Sequence, residues 1–378
     1  MKPVWENRKV VICVGTGGVG KTTAAASLGL AAASQGVRTL VMTIDPARRL
    51  ANALGITDLG NVEREISAEQ LEPFGVNLAA PLWVMMPDVK RTFDQLIERT
   101  APDEESRQRI LRNRVYQHFS SALAGSHEYA AVEKLYEVYS AGRYDLIILD
   151  TPPSQNAVDF LQAPGRILDF LENETLQWLL KPYVLSGKIS LKLLDFGSSM
   201  MLRTLGKLAG AETLRELADF VLSLRGTYDG FRQRSHRVRE LMRSDEMAFV
   251  LVTSTSATQQ RAMLQFKREL HAEGLRVNAV VVNRIRRPLP PESECRAFRF
   301  KAEQALTPMG EGVLRDVLNA LDEEKEIATL DQQSIAELAA RLADTRLILL
   351  PELPLDVHDL SGLARLYPYF NDNSRLDI

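Results

Sequence analysis

The chain has 378 residues, of which 45% are hydrophobic and 25% charged, and a net charge of −3; this is the balance of a globular protein long enough for two or three domains. The near-neutral sum excludes a bulk basic field for nucleic acid, and no apolar run approaches the roughly 18 residues of a membrane span. Two cysteines, Cys13 and Cys295, exclude a disulfide framework and a C-x-x-C zinc site.

The first element in chain order is a buried strand at Val10-Val11-Ile12-Cys13-Val14, β-branched and apolar. Because the chain runs directly into it with no signal peptide ahead, the cytoplasm is the expected location. Cys13 on this strand reads as a small buried hydrophobe. The strand opens into Gly15-Thr16-Gly17-Gly18-Val19-Gly20-Lys21-Thr22, which has the spacing G-x-x-x-x-G-K-[ST] of a phosphate-binding loop. Without bulky side chains at the turn, successive amide N–H groups can face phosphate oxygens. Lys21 is then the cation for the β- and γ-phosphates, and the Thr22 hydroxyl a ligand for Mg²⁺. Thr23 and the alanines after it start a helix over 22–34, so strand, loop and helix N-terminus form one anion site.

A second strand is predicted over 38–44 and ends at Asp45-Pro46. Asp45, at its tip, is the candidate for positioning or activating an attacking water. Arg107, Arg109, Arg112 and Arg114 form a basic cluster that reads as a solvated helix face. The third strand, over 144–150, ends in Asp150, followed by Thr151-Pro152-Pro153. An acid at the end of an apolar strand beside a phosphate loop is the Walker-B arrangement, which supports Mg²⁺, here through water. Further strands are predicted over 247–253, 277–283 and 346–350, with helices over 89–99, 127–140, 258–273 and 334–343. This alternation predicts an α/β P-loop NTPase fold, a mostly parallel sheet flanked by helices, with ligands at the carboxyl ends of the strands. Residues 155–244 show only helical patterning broken by glycines, and so predict a helical insert subdomain. The phosphate-loop core is then discontinuous, over 1–154 and 245–370.

Three ordered motifs carry a family resemblance. The loop resembles the K-G-G-x-G-K-[ST] deviant Walker A of the SIMIBI-class P-loop ATPases. Thr43-Ile44-Asp45-Pro46-Ala47-Arg48 resembles the S-T-D-P-A-H switch I of the ArsA arsenite-pump ATPases and their tail-anchored-protein-targeting relatives, and the run from Asp150 to Pro164 resembles their switch II. Val281-Val282-Asn283 is similar to the strand end whose Asn contacts adenine, and Leu350-Pro351-Glu352-Leu353-Pro354 to the adenine-side loop. The resemblance implies ATP and Mg²⁺ as ligands. It assigns the phosphates to Gly15, Gly17, Gly18, Val19, Gly20, Lys21, Thr22 and Thr23, the metal to Thr22 and Asp150, and the hydrolytic water to Asp45. Asn283, Pro351 and Leu353 fall to the base. It further implies a switch whose helical subdomain answers to the nucleotide, a homodimer or a heterodimer with a paralogous ATPase, and an apolar helical client.

Thr16 stands where this family carries its deviant lysine, and Arg48 where it carries His. One of Arg48 and Arg49 is therefore a candidate replacement cation. Thr16 also supports an alternative reading, a weakly active or inactive nucleotide-binding regulatory subunit that pairs with a paralogue. Two cysteines cannot supply a three-thiol arsenite site. Met200, Met201 and the neighbouring leucines read first as packing within the insert or at a dimer interface, and second as the lining of a client groove.

Overall fold

The computed structural model describes residues 2–44, 49–56, 59–122, 126–151, 228–287, 292–306, 311–342, 344–357 and 359–371, with Glu216, Asp219, Phe220 and Ser223 besides. Eight strands form one sheet: β1 Val10–Val14, β2 Thr39–Thr43, β3 Arg64–Ile66, β4 Leu82–Met85, β5 Leu146–Asp150, β6 Met247–Ser254, β7 Val277–Ile285 and β8 Arg346–Pro351. Their spatial order is β3-β4-β2-β5-β1-β6-β7-β8. Every pairing is parallel except β3 with β4. The predicted α/β sheet is therefore present, with an antiparallel edge strand added.

The connections decide where a ligand can sit. From β1 the chain crosses β5 to reach β2, whereas from β5 it crosses β1 to reach β6. The direction of winding thus reverses around β1, and a crevice opens at the carboxyl ends of the strands there. Residues of the two central strands share one level, because Cys13 pairs with Asp150 and Thr43 pairs with Asp150 from the other side.

Both faces of the sheet are covered, which is why its strands read as continuous apolar runs. On one face lie α1 Lys21–Ser34, α2 Arg49–Ala53, α12 Leu360–Leu366 and α13 Pro368–Asn371. Most of α1 is buried, including Ala24, Leu28 and Ala32, so this helix is apolar all round rather than amphipathic. Its small alanines let it lie between the sheet and the terminal helices. The opposite face carries α7 Ser126–Ala141, α8 Tyr228–Arg243, α9 Ala257–Ala272 and the end of α11 Glu311–Arg341. Val238, Leu241 and Met242 of α8 are buried in that core. By its packing, then, the last helix before β6 belongs to the sheet's flank; residues 155–215 of the expected insert, Met200 and Met201 among them, lie outside the described residues.

The remaining helices are α3 Ala68–Leu71, α4 Val89–Thr100, α5 Glu104–Arg112, α6 Arg114–Ala122 and α10 Glu292–Leu306. The side chain of Asp88 caps α4 through the Arg91 amide at 2.7 Å. On α5, Arg107 pairs with Glu104 and Arg109 with Glu105, one turn away on the same exposed face. The basic cluster is thereby matched with acids rather than offered to a polyanion. Among the described residues, no helix is long and apolar enough to cross a membrane.

Candidate functional site

The site grows out of the end of β1. Beyond Val14 the chain bends through the glycine loop, and Gly20 caps α1 with φ 89°, a left-handed conformation that favours glycine. A Cβ at Gly20 would lie 2.1 Å from the Asn283 amide nitrogen, and one at Gly15 would lie 2.4 Å from the Val252 carbonyl oxygen. Both positions exclude a side chain on steric grounds, the first toward β7 and the second toward β6.

Lys21, only 7% exposed, donates its ammonium to the Thr16 carbonyl at 2.9 Å and so folds back along the loop. The Thr22 hydroxyl donates to Asp150 Oδ2 at 2.8 Å. Thr43, at the end of β2, donates its own hydroxyl to the same oxygen at 2.8 Å. Asp150 is wholly buried, and the register that pairs it with Cys13 and Thr43 fixes its position. Next in the chain, Thr151 donates its hydroxyl to the Cys13 carbonyl at 2.7 Å, which ties the start of the following loop to β1. Cys13 is fully buried, as expected of a small hydrophobe on this strand, and burial, reinforced by the Asp150 charge, pushes its thiol above its ordinary range.

Asn283, 5% exposed near the end of β7, donates its side-chain amide to the Val19 carbonyl at 3.0 Å. The phosphate loop is therefore braced from a strand two places away in the sheet. Immediately after it, the ladder between β7 and β8 shifts: Val282 pairs with Leu349, and Ile285 pairs with Pro351. Two residues, Asn283 and Arg284, thus oppose the single Leu350, a bulge in which Arg284 takes φ 59°.

These pieces surround a cavity of about 400 Å³. It is lined by Gly18, Gly20, Lys21, Thr22 and Thr23, by Arg49, Asn52 and Thr151, and by Asn283, Arg284, Pro351, Leu353, Asp356 and Val357. The structure thus brings together most residues that the sequence singled out. Gly15, Gly17 and Val19 shape the loop without lining the cavity, and Asp150 stands behind Thr22. Asp45 and Arg48 lie outside the described residues. Thr43, Asn52 and Arg284 were missed. The register signal that could have found Thr43 is its place two residues before Asp45, at the end of a strand.

An oxygen-rich pair of hydroxyl and buried carboxylate behind a loop of amides, with a lysine at its mouth, defines a P-loop nucleoside triphosphatase. The chain belongs to the anion-transporting ATPase family, whose profile matches residues 8–311. It is similar to the ATPase GET3C of Arabidopsis thaliana, 24% identical over 315 residues covering 81% of this chain and 73% of that one. It is also similar to the ATPase GET3 of Malassezia globosa, 24% identical over 296 residues and 78% of each chain. A third relative, an arsenical pump-driving ATPase of Aquifex aeolicus, is 24% identical over 289 residues, 73% of this chain and 63% of that one.

Proposed function

We propose that the protein is a Mg²⁺-dependent, ATP-hydrolysing switch that couples its nucleotide state to the helical segment over 155–244. The observation that carries this reading is the convergence of Lys21, Thr22 and Asp150 beside a cavity large enough for a nucleotide. The loop amides and Lys21 hold the phosphates. The donor set of a threonine hydroxyl and a carboxylate suits Mg²⁺, a hard cation that keeps several waters: Thr22 is its direct ligand and Asp150 its support through water. When bound, the ion neutralises charge on the phosphate oxygens. Asp45 orients the attacking water, and Asn283, Pro351 and Leu353 receive the adenine. Two copies of the chain, or one copy and a paralogue, share the nucleotide state, and an apolar helical client or partner meets the helical segment.

Turnover of ATP with and without Mg²⁺, alongside calorimetric binding, tests this. Lys21→Ala is expected to abolish both, and Asp45→Asn to remove turnover while binding persists. Intact ATP binding with no turnover, alone or with any lysine-bearing relative, would sink the enzyme. That outcome would favour the second reading, a nucleotide-binding regulatory subunit. The observation behind this second reading is Thr16, whose carbonyl receives the Lys21 ammonium and whose side chain brings no charge to the loop.

A further inference from the structure

The bulge near the end of β7 places an arginine in a conformation that arginine rarely adopts. Arg284 has φ 59°, and among the described residues only Asn7 is another non-glycine with positive φ. Bulges next to active sites re-aim side chains, and a disfavoured backbone persists only where its surroundings hold it. Here Asn283 is pinned to the Val19 carbonyl on one side, while on the other the Glu352 amide donates to the Ile285 carbonyl at 2.8 Å. Held between these two anchors, Arg284 lines the cavity together with Pro351 and Leu353.

Its ion pair does not account for the arrangement. The guanidinium lies 3.8 Å from Asp356, with the two side chains 56% and 70% exposed. A loose, solvated pair of this kind contributes little to stability. What it does is offset the charge of Arg284 at the cavity wall. A guanidinium neutralised in this way suits a flat uncharged ring better than a phosphate, and its plane stacks on aromatic faces. Lys21 and Arg49 line the cavity too, and Lys21 is the cation that the loop motif assigns to phosphate.

We propose that Arg284, steadied by Asp356, is the base-stacking residue of the nucleotide site: its guanidinium covers one face of the purine, and Pro351 and Leu353 lie toward the other. This rests on the ATP-binding reading above. It adds a contact that depends on the bulge rather than on the loop motifs.

The test is calorimetric titration of the full chain with ATP and with inorganic tripolyphosphate, which has the charge but no base. Arg284→Gly accepts the same backbone without steric strain, so a loss there is not a folding defect. Arg284→Lys keeps the charge without the plane. Each is expected to weaken ATP by about tenfold while tripolyphosphate changes by less than about twofold, and Asp356→Ala to give a smaller loss of the same kind. Wild-type ATP affinity in Arg284→Gly or Arg284→Lys, or an equal loss for tripolyphosphate, would overturn the inference. If Lys21→Ala abolishes ATP binding while the Arg284 variants bind normally, the ATP site stands and this inference alone falls. A wild-type chain that binds no ATP would overturn both.

Discussion

Two aspartates bracket β5 and meet opposite fates. Asp145, just before the strand, accepts the Arg38 amide at 3.1 Å and its guanidinium at 2.9 and 2.7 Å, with the two side chains about half exposed. Asp150, at the other end of the same strand, is wholly buried, and the hydroxyls of Thr22 and Thr43 converge on one of its oxygens. Both aspartates bind β2 to β5, and both sit at the same strand pair. The first is a solvated staple between a carboxylate and a cation, and such pairs are cheap to make and to lose. The second is taken out of water entirely, with the hydroxyls of Thr22 and Thr43 among its partners and the phosphate loop beside it. The difference separates what holds the sheet from what serves the site.

The largest effect is expected from Asp150→Asn. Turnover should fall about 10- to 100-fold, the usual loss when a group supporting a metal's ligands is changed. Asparagine keeps an oxygen for the Thr22 and Thr43 hydroxyls, so the melting temperature should move far less than turnover does. A variant that melts earlier and turns over normally would make Asp150 a staple like Asp145. Gly20→Ala comes next: its Cβ meets the Asn283 amide nitrogen at 2.1 Å, and denaturant unfolding should show a loss of about 1–3 kcal/mol. Adding Asn283→Ala should return part of that loss. Thr43→Val removes one hydroxyl from the buried carboxylate and should destabilise by about 1–3 kcal/mol, with Thr43→Ser retaining most of the stability.

The smallest effect is expected from Arg38→Ala, with unchanged turnover and a melting temperature lower by no more than about 1–2 °C. Its pH dependence follows from Asp145, whose carboxyl is held below its ordinary value chiefly by the hydrogen bond from Arg38. A depressed folded value means that the contribution is complete above the unfolded value of about 3.9 and fades as the pH falls through the folded value. Melting curves of wild type and Arg38→Ala should therefore differ at neutral pH and converge in acid.

Much of this was legible in the residues. The phosphate loop and Asp150 follow from spacing and from apolar runs that only a doubly covered strand produces, and six of the eight strands read in the same way. The other two, Arg64–Ile66 and Leu82–Met85, are too short to establish a period. Helix α11 was predicted only over 334–343, although it spans Glu311–Arg341; its front half carries Leu314, Val317, Leu318 and Leu321 at helical spacing, a signal that was missed. Thr43 was missed because its role depends on register across two strands that are distant in sequence. Arg284 was missed because a left-handed arginine has no sequence signature. The adenine-side residues were reached through family motifs rather than through any physical pattern of their own.

Helix α11 has 31 residues, and its buried positions begin only at Ala328. The turns before them, from Glu311 onward, extend about 25 Å at 1.5 Å per residue and pack against α10, where Arg299 pairs with Asp322. The seated end of α11 lies where the Asp331 carboxylate accepts the Arg286 amide at 2.9 Å, two residues past the bulge. Glu324 of the same helix pairs with Arg286 as well, so the rod is seated beside the bulge and runs from there along α10. A tilt of about 10° at that seat would carry its tip about 4 Å, turning a displacement too small to separate two packed side chains into one that a neighbouring molecule would feel.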